Sequence, residues 1–243
     1  MSNFLSGPVV VAGQTLHSSS ADQYHKLGEL VFANDGRAYR YAKAGATALL
    51  AGNCQSSAAE DTDTQDMTAV AAAVGDLSIV STTTVTVTAN EYAEGFILVS
   101  VTPGVGRLHK IKGHAAFTAE APTFNLDNDP LVVALTTTSR LDALANPYGA
   151  VIVSPTTLTG VCVGVAVHAV ALSEFGWLQV AGTACVEADG TVTVGNPVIT
   201  SDTDAGTVES ITDGAHELLQ VVGTALTGAA TGEFGAINLS GLL

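Results

Sequence analysis

The stretch VCVGVAVHAVALSEFGWLQVAGTACVEADGTVTVGNPVI, residues 161–199, decides the fold class. Its first part, residues 161–172, has small apolar side chains at odd and even positions alike, which is typical of a β-strand covered on both faces. Residues 173–176 predict a turn into a strand over 177–186, and Asp189-Gly190 predicts another turn into a strand over 191–194. We therefore predict an antiparallel meander at the centre of the protein.

This stretch has an echo near the end of the chain. EFGWLQVAG at 174–182 returns as EFGAINLSG at 233–241, and the tripeptide GTA occurs at 182–184 and again at 223–225. Such an echo predicts two similar turn-plus-strand units in one sheet or barrel.

The remaining segments also favour β-structure. A hairpin is predicted around Asn34-Asp35-Gly36, and Thr and Val alternate over 82–88 as in a half-buried strand. Residues 66–75 predict one short helix, because Asp66 can cap it, the alanines favour it and Gly75 can end it. The predicted fold is thus mainly β: an antiparallel β-sandwich or barrel with hairpins and meanders, and one short helix near 66–75.

Three regions are predicted along the chain. Residues 1–26 form an N-terminal arm, which either orders on a partner or is a frayed terminus. Residues 27–80 form a small N-terminal subdomain of hairpin and short helix, and residues 81–243 form the main β domain.

Composition indicates a protein that is covered by neighbours. Charged residues make up 13% of the chain, about half of the ~25% usual in soluble domains. Either Thr, Ser, Asn and Gly cover the outside or adjacent subunits do, and we favour subunits.

The charge distribution argues against direct binding of nucleic acid. The formal net charge is -15, whereas nucleic-acid binding depends on Lys and Arg that neutralise phosphates. All eight basic residues lie at or before Arg140: Lys26, Arg37, Arg40, Lys43, Arg107, Lys110, Lys112 and Arg140. One hypothesis is that this mixed part docks on a partner while the acidic remainder faces solvent; the alternative is an acidic protein without such a division.

Two groups of residues are candidate contacts with a partner or a neighbouring subunit. The first is on the hairpin and the second on a predicted strand over 107–112: Arg37, Tyr39, Arg40 and Tyr41, and Arg107, Lys110 and Lys112. The alternatives are tyrosines in the core with arginines at its rim, and basic residues that protect an exposed edge strand. Trp177 is a candidate packing anchor within the fold or between subunits.

Catalytic and metal-binding patterns are missing from the sequence. There is no HExxH motif and no GxSxG elbow, and His109 and His114 are spaced to lie on opposite faces of a strand. His168 is predicted to be a core residue. The three cysteines show no CxxC spacing, and Cys162 is predicted to be a buried small hydrophobe. We expect no enzymatic activity, no cofactor and no metal.

No targeting or membrane segment is predicted. The apolar run at residues 8–12 has no basic residue before it, and no run approaches the roughly 20 residues of a membrane span. We expect a polypeptide made in a reducing cytoplasm.

Several ordered blocks resemble a family of virion structural proteins of tailed bacteriophages. They are KLGELVFANDGRAYRYAKAGATALLAGN, NEYAEGFILV, LHKIKGHAA, NDPLVVALTTTSRLDALANPY, GVAVHAVALSEFGWLQVAGTA and VTVGNPV. Many members of that family are described as head decoration or unassigned structural proteins, and it has no catalytic motif to carry over.

The resemblance implies a decoration (cement) protein on the outer capsid surface of the virion, synthesised in the host cytoplasm. The implied partners are the major capsid protein and the chain itself, as a homo-oligomer with a trimer favoured, without nucleic acid or membrane. The two basic groups would then contact the capsid or other subunits. The alternative is a tail or head fibre component that recognises a host surface glycan, which predicts exposed aromatic side chains.

Overall fold

The structure, a computed structural model, describes residues 13–211, 219–240 and 242. Almost all regular structure in these residues is β, so the predicted mainly β class is confirmed. The predicted arm lies outside the described residues over 1–12. The strands are β1 Leu30–Phe32, β2 Ala38–Lys43, β3 Cys54–Ser56, β4 Met67–Ala69, β5 Ser78–Thr82, β6 Thr86–Val87, β7 Phe96–Val101, β8 Arg107–Gly113, β9 Phe117–Thr118, β10 Thr123–Leu126, β11 Arg140–Leu144, β12 Ile152–Val153, β13 Cys162–Ala166, β14 Phe175–Glu187, β15 Pro197–Thr200, β16 Val208–Ser210, β17 Val221–Ala225 and β18 Phe234–Leu239, with a 3-10 turn at Thr62–Thr64.

The predicted helix over 66–75 is wrong. Residues 67–69 form β4, which pairs with β5 and β11, and Asp66 before it has a positive φ of 53°. Met67 and Ala69 are buried while Thr68 between them is half-buried, as in a strand with one covered face. Tertiary packing therefore outweighs the helix propensity of the alanines.

The chain divides into two compact units at places that differ from the predicted boundaries. The first unit is Met1–Ala59 together with Pro147–Leu243, and the second is Glu60–Asn146. The hairpin belongs with the C-terminal part of the chain because β2 pairs along β14. The predicted subdomain over 27–80 is therefore divided between the two units, at residue 60.

The second unit is built on a closed six-stranded barrel. Its strands follow the order β10-β5-β4-β11-β7-β8, and β6 pairs separately with β9. The interior is filled by alternate side chains of these strands, and the fully buried ones include Ile79, Ile97, Val99, Ile111, Phe124 and Leu141. Because the barrel is closed, none of its six strands has a free edge.

The first unit is one antiparallel sheet in the order β12-β3-β13-β14-β18-β17-β15-β16, with β2 also bonded to β14 and β1 to β2. The predicted pairing of residues 161–172 with 177–186 is present as β13 and β14, although β13 ends at Ala166. The predicted third strand over 191–194 is wrong, because Val192 makes only an isolated bridge to Ala229. The second half of β14 pairs with β18 instead.

The first unit contains the same strand arrangement twice. One copy consists of β2, β3, β12, β13 and the first half of β14, and the other consists of the second half of β14, β15, β16, β17 and β18. Four paired positions of the first copy return in the second. Lys43–Phe175 corresponds to Glu187–Phe234, and Val165–Gln179 corresponds to Thr224–Asn238. The bridges Ala44–Val151 and Leu49–Val170 correspond to Ala188–Val208 and Val192–Ala229. The repetition extends to the loops, since Gly52 and Gly195 hold equivalent turns with φ of 80° and 85°.

The copies differ in one connection. In the second copy, residues 201–207 join β15 to β16, whereas in the first copy residues 57–151 join β3 to β12 and include the whole second unit. The barrel unit is therefore an insertion into one loop of a duplicated sheet.

The sequence echo of 174–182 at 233–241 corresponds to this duplication, because Phe175 and Phe234 begin equivalent strands. The two GTA tripeptides do not correspond. Residues 182–184 lie in β14 and 223–225 in β17, whose counterpart in the first copy is β13.

Candidate interaction surfaces

Two histidines lie beside a carboxylate: His25 Nδ1 is 3.1 Å from Glu29 Oε1, and His109 Nδ1 is 3.2 Å from Asp129 Oδ2. No group of three or more His, Cys, Asp or Glu side chains among the described residues could hold a metal ion. His114 is buried, accepts the Tyr92 N–H at Nε2 (3.0 Å) and donates from Nδ1 to the Ala115 carbonyl (2.9 Å). His168 is exposed, so the prediction of a core histidine is wrong.

The outer surface of the barrel carries a contiguous apolar patch across β11, β7 and β8, which we call the barrel face. Its side chains lie in two cross-strand rows: Leu144, Phe96 and Lys110 in one, and Asp142, Leu98 and Leu108 in the other. Leu98, Leu108 and Leu144 are 36%, 53% and 50% exposed. Three leucines on an exposed sheet face are typical of a surface that binds another protein.

Two lysines of β8, the half-buried Lys110 and the exposed Lys112, lie on the outward side of the barrel with this face, and Asp142 of β11 lies in the row of Leu98 and Leu108. Arg107 is exposed at the start of β8, but it pairs with the buried Val99 and so is not part of the barrel face. Arg140 on β11 lies 3.6 Å from the Asp66 carboxylate. β8 pairs with both β7 and β10, so the interpretation of its basic residues as protection of an exposed edge is wrong.

The hairpin residues lie in a different setting. Tyr39 and Tyr41 are fully buried, so their side chains face the core. Arg37 is bonded to the Asp35 carboxylate (2.8 Å), and Arg40 donates to the Gly28 carbonyl (2.7 Å). The structure therefore gives this hairpin the arrangement of tyrosines in the core with arginines at the rim.

Trp177 is 1% exposed and lies on what we call the aromatic face of the first copy, formed by Tyr39, Tyr41, Phe175 and Trp177. Residues 13–33, here called the covering segment, pack over this face. The His25 ring lies 5.0 Å from Trp177 and 5.1 Å from Tyr41, and Leu16, Leu27, Val31 and Ala33 add apolar contacts. The described part of the predicted arm, residues 13–26, is therefore docked on the sheet.

Polar bonds fix the start of the covering segment. Gln14 donates from Nε2 to the Phe175 carbonyl (2.8 Å) and accepts from the Tyr41 hydroxyl (2.7 Å). Ser20 and Phe175 exchange backbone bonds. Burial raises the pKa of Tyr41, which keeps the hydroxyl protonated as a donor to Gln14.

In the second copy, no segment among residues 13–211 and 219–240 packs over the equivalent face in the way that the covering segment does. The counterparts of the aromatic face are Thr183, Cys185, Phe234 and Ala236, here called the open face, and Phe234 is 52% exposed. A pocket of about 830 Å³ lies over the open face. Its other walls include His17, Arg37, Gly52, Val167 and Gln179.

The cysteines divide into two buried thiols and one exposed thiol, and all three are free. Cys54 and Cys162 lie on the paired strands β3 and β13, and hydrogen bonding to Cys162 and burial raise the pKa of Cys54. Cys185 is exposed at the pocket. The Cys54 thiol therefore remains a protonated core group, whereas Cys185 is open to reagents.

Comparisons with known proteins give no relative. No protein-family model matches the chain, and neither a curated protein nor a solved structure is significantly similar to it. Across the described residues, no helix has the length and apolar character needed to cross a bilayer.

Sequence reasoning found the basic half of the barrel face and missed the apolar half. Lys110 and Lys112 were named as contacts, but Leu98 and Leu144 were not. Strand alternation places both leucines on the outward side, but a single exposed leucine is common and indicates no contact by itself. The pocket has no signal in the sequence either, since its residues come from distant segments of the chain.

Proposed function

We propose that the protein is a non-enzymatic structural protein that binds the outside of a bacteriophage capsid and stabilises it. The observation that carries the proposal is the barrel face, where three exposed leucines lie beside Lys110 and Lys112 in a chain with a net charge of -15. Such a surface supports adhesion to another protein. The resemblance of the ordered sequence blocks to phage virion proteins supports the capsid as the partner.

The energetics favour an apolar contact with a charged rim. Covering a leucine that is half exposed removes several tens of Å² of apolar surface from water, which contributes on the order of 1 kcal/mol per side chain. Lys110 and Lys112 would steer this face toward acidic groups and fix its orientation more than they add affinity. A single face of this size gives modest affinity.

Repetition on a shell would compensate for that modest affinity. If the protein forms a homo-oligomer, the binding of one barrel face makes binding of the next one intramolecular, so that avidity exceeds the affinity of each contact. A protein that bridges neighbouring capsid subunits in this way adds apolar contact where the shell is weakest. The low fraction of charged residues agrees with a protein that is largely covered in its assembled state.

The test is binding to capsids that lack the protein. Purified wild type should bind and raise the temperature at which the shells release their DNA, whereas Leu98→Glu and Leu108→Glu should weaken binding at least about tenfold, a change of ~1.4 kcal/mol. The matched control is Val74→Glu, because Val74 is 64% exposed in the same unit but lies outside β11, β7 and β8. Equal binding by all variants would refute the assignment of the barrel face.

A fibre component that binds a host glycan is the second candidate. Exposed aromatic rings favour it, because Tyr24 and Phe32 are 51% and 61% exposed. Localisation in intact particles by electron cryomicroscopy separates the candidates. Density on the outer shell supports the capsid proposal, and density confined to tail or head fibres supports the glycan-binding one.

A further inference from the structure

The duplicated sheet has two equivalent faces, and within the part of the chain that the structure describes a segment packs over the first of them. On the first copy, the covering segment lies over Trp177 and Tyr41. On the second copy, the equivalent positions are Ala236 and Cys185, and they line the pocket of about 830 Å³. The covered copy shows what kind of partner such a face accepts: a mainly apolar chain segment, here with the side chains of Leu16 and Leu27 and the His25 ring.

We propose that the open face is the binding site for residues 1–12 of the same chain, MSNFLSGPVVVA. Those residues lie outside the described residues and directly precede the covering segment. His17, near the start of that segment, already forms part of the pocket wall. The occupant of the open face would thus continue the chain that covers the aromatic face.

Reach is sufficient for this assignment. Phe4 and Leu5 lie ten and nine residues before Gln14, so an extended chain carries them at most roughly 30 to 33 Å from it. Gln14 is anchored to Phe175 at the beginning of β14, and the open face includes Thr183 and Cys185 further along the same strand. Eight residues of strand separate Phe175 from Thr183, a rise of roughly 27 Å.

The side chains of residues 1–12 also suit the open face. Residues 1–12 contain no charged side chain and include Phe4, Leu5 and the run PVVVA. The open face offers a methyl group, a thiol, a threonine and the half-exposed ring of Phe234. Its nearby charges already have partners: Glu187, opposite Phe234, accepts a hydrogen bond from Asn53 Nδ2 (3.1 Å), and Arg37 in the pocket wall is paired with Asp35 (2.8 Å). Burial of Phe4 or Leu5 there would therefore leave no charge unpaired.

Cys185 provides a direct test, because it lies in the pocket while Cys54 and Cys162 are buried. Under native conditions a thiol reagent such as DTNB should report on Cys185 alone. We expect the full chain to react about tenfold more slowly than a variant lacking residues 1–12, as when the pocket is open only about a tenth of the time. The double variant Phe4→Ser/Leu5→Ser should react as fast as the truncated chain, and the matched control Asn3→Ser as slowly as wild type.

Three results would overturn the proposal. Equal labelling rates in the full and truncated chains would show that residues 1–12 do not cover Cys185. If Cys185 reacts slowly only at high protein concentration, a second copy of the chain covers the open face instead. Fast labelling of Asn3→Ser would show that protection does not depend on Phe4 and Leu5. Near-UV circular dichroism of each variant reports whether the environment of Trp177 is intact, and labelling in denaturant should count three thiols in every case.

Discussion

The ring of Phe234 lies against the backbone of Gly52, so closely that a Cβ atom added to Gly52 would come within 2.4 Å of Phe234 Cε1. The equivalent turn of the second copy contains Gly195, where an added Cβ would meet nothing within 4 Å. Both glycines have positive φ, 80° and 85°. One backbone turn therefore occurs twice, once covered by an aromatic ring and once uncovered.

The comparison of Gly52 with Gly195 predicts how much each position loses in stability when its glycine is replaced by alanine. Each alanine substitution should cost about 1 to 2 kcal/mol in free energy of unfolding, because alanine disfavours the left-handed region. Gly52→Ala should cost more than Gly195→Ala, since it also displaces the Phe234 ring. Chemical denaturation measures both values.

Phe234→Ala is the second arm of that experiment. In a chain that already carries Phe234→Ala, Gly52→Ala and Gly195→Ala should lower the free energy of unfolding by equal amounts, which a double-mutant cycle measures. A difference that persists would mean that the contact between Gly52 and Phe234 is not its cause.

Trp177→Ala should destabilise the first unit by about 3 to 5 kcal/mol, because the indole is fully buried between Tyr41 and the His25 ring. Denaturation followed by far-UV circular dichroism measures the loss. Leu172→Ala is the control, since Leu172 is 60% exposed in the turn before β14 and its truncation should cost little. A near-neutral Trp177→Ala would contradict the role of this residue as a packing anchor.

Tyr92→Phe should lower stability at neutral pH by about 1 to 2 kcal/mol. The Tyr92 hydroxyl donates to the Asp61 carboxylate (2.7 Å) and lies 2.9 Å from the Thr64 hydroxyl. The control is Tyr24→Phe, because the Tyr24 ring is half exposed.

The same variant changes the response to alkali. Burial, together with the hydrogen bond to Asp61, raises the pKa of Tyr92 above its ordinary value of 10.0. The folded state therefore keeps its proton where the unfolded state loses it, so this contribution to stability is complete below about pH 10 and declines as the pH rises further. Tyr92→Phe should make the alkaline loss of stability shallower, and an unchanged slope between pH 10 and 12 would contradict this assignment.

Excision of the second unit should leave a folded sheet. If Glu60–Asn146 are replaced by a Gly/Ser linker of about four residues, the connection from β3 to β12 is still longer than residues 201–207, which join the equivalent strands. We expect a soluble β protein with the Trp177 fluorescence of the full chain. A red-shifted spectrum like that of the unfolded protein would show that the sheet depends on the insertion.

The sequence was sufficient to predict the strands whose signal is local. The turn at Asn34-Asp35-Gly36 and the small apolar side chains of residues 162–166 are direct consequences of backbone preference and two-sided burial. The echo of 174–182 at 233–241 correctly indicated two similar units. These features depend on residues close together in the chain.

The pairing of strands that are distant in the chain could not be predicted from the sequence. Residues 66–75 favour a helix by propensity, yet Met67 and Ala69 form a barrel strand because β5 and β11 lie on either side. The duplication is hidden because its first copy is interrupted by Glu60–Asn146, so that equivalent strands have very different spacing. The buried state of Tyr39 and Tyr41 likewise depends on a segment whose contact with β14 spans most of the chain.

The interrupted loop has a consequence for engineering. One connection of the sheet accommodates a complete barrel, while its twin at 201–207 retains the short form, tied down by hydrogen bonds from Ser201 and Thr203 to the Asp189 carboxylate. A foreign domain whose ends lie close together could be grafted at 201–207 by the route that the first copy already uses. The scaffold would then carry cargo at two related positions.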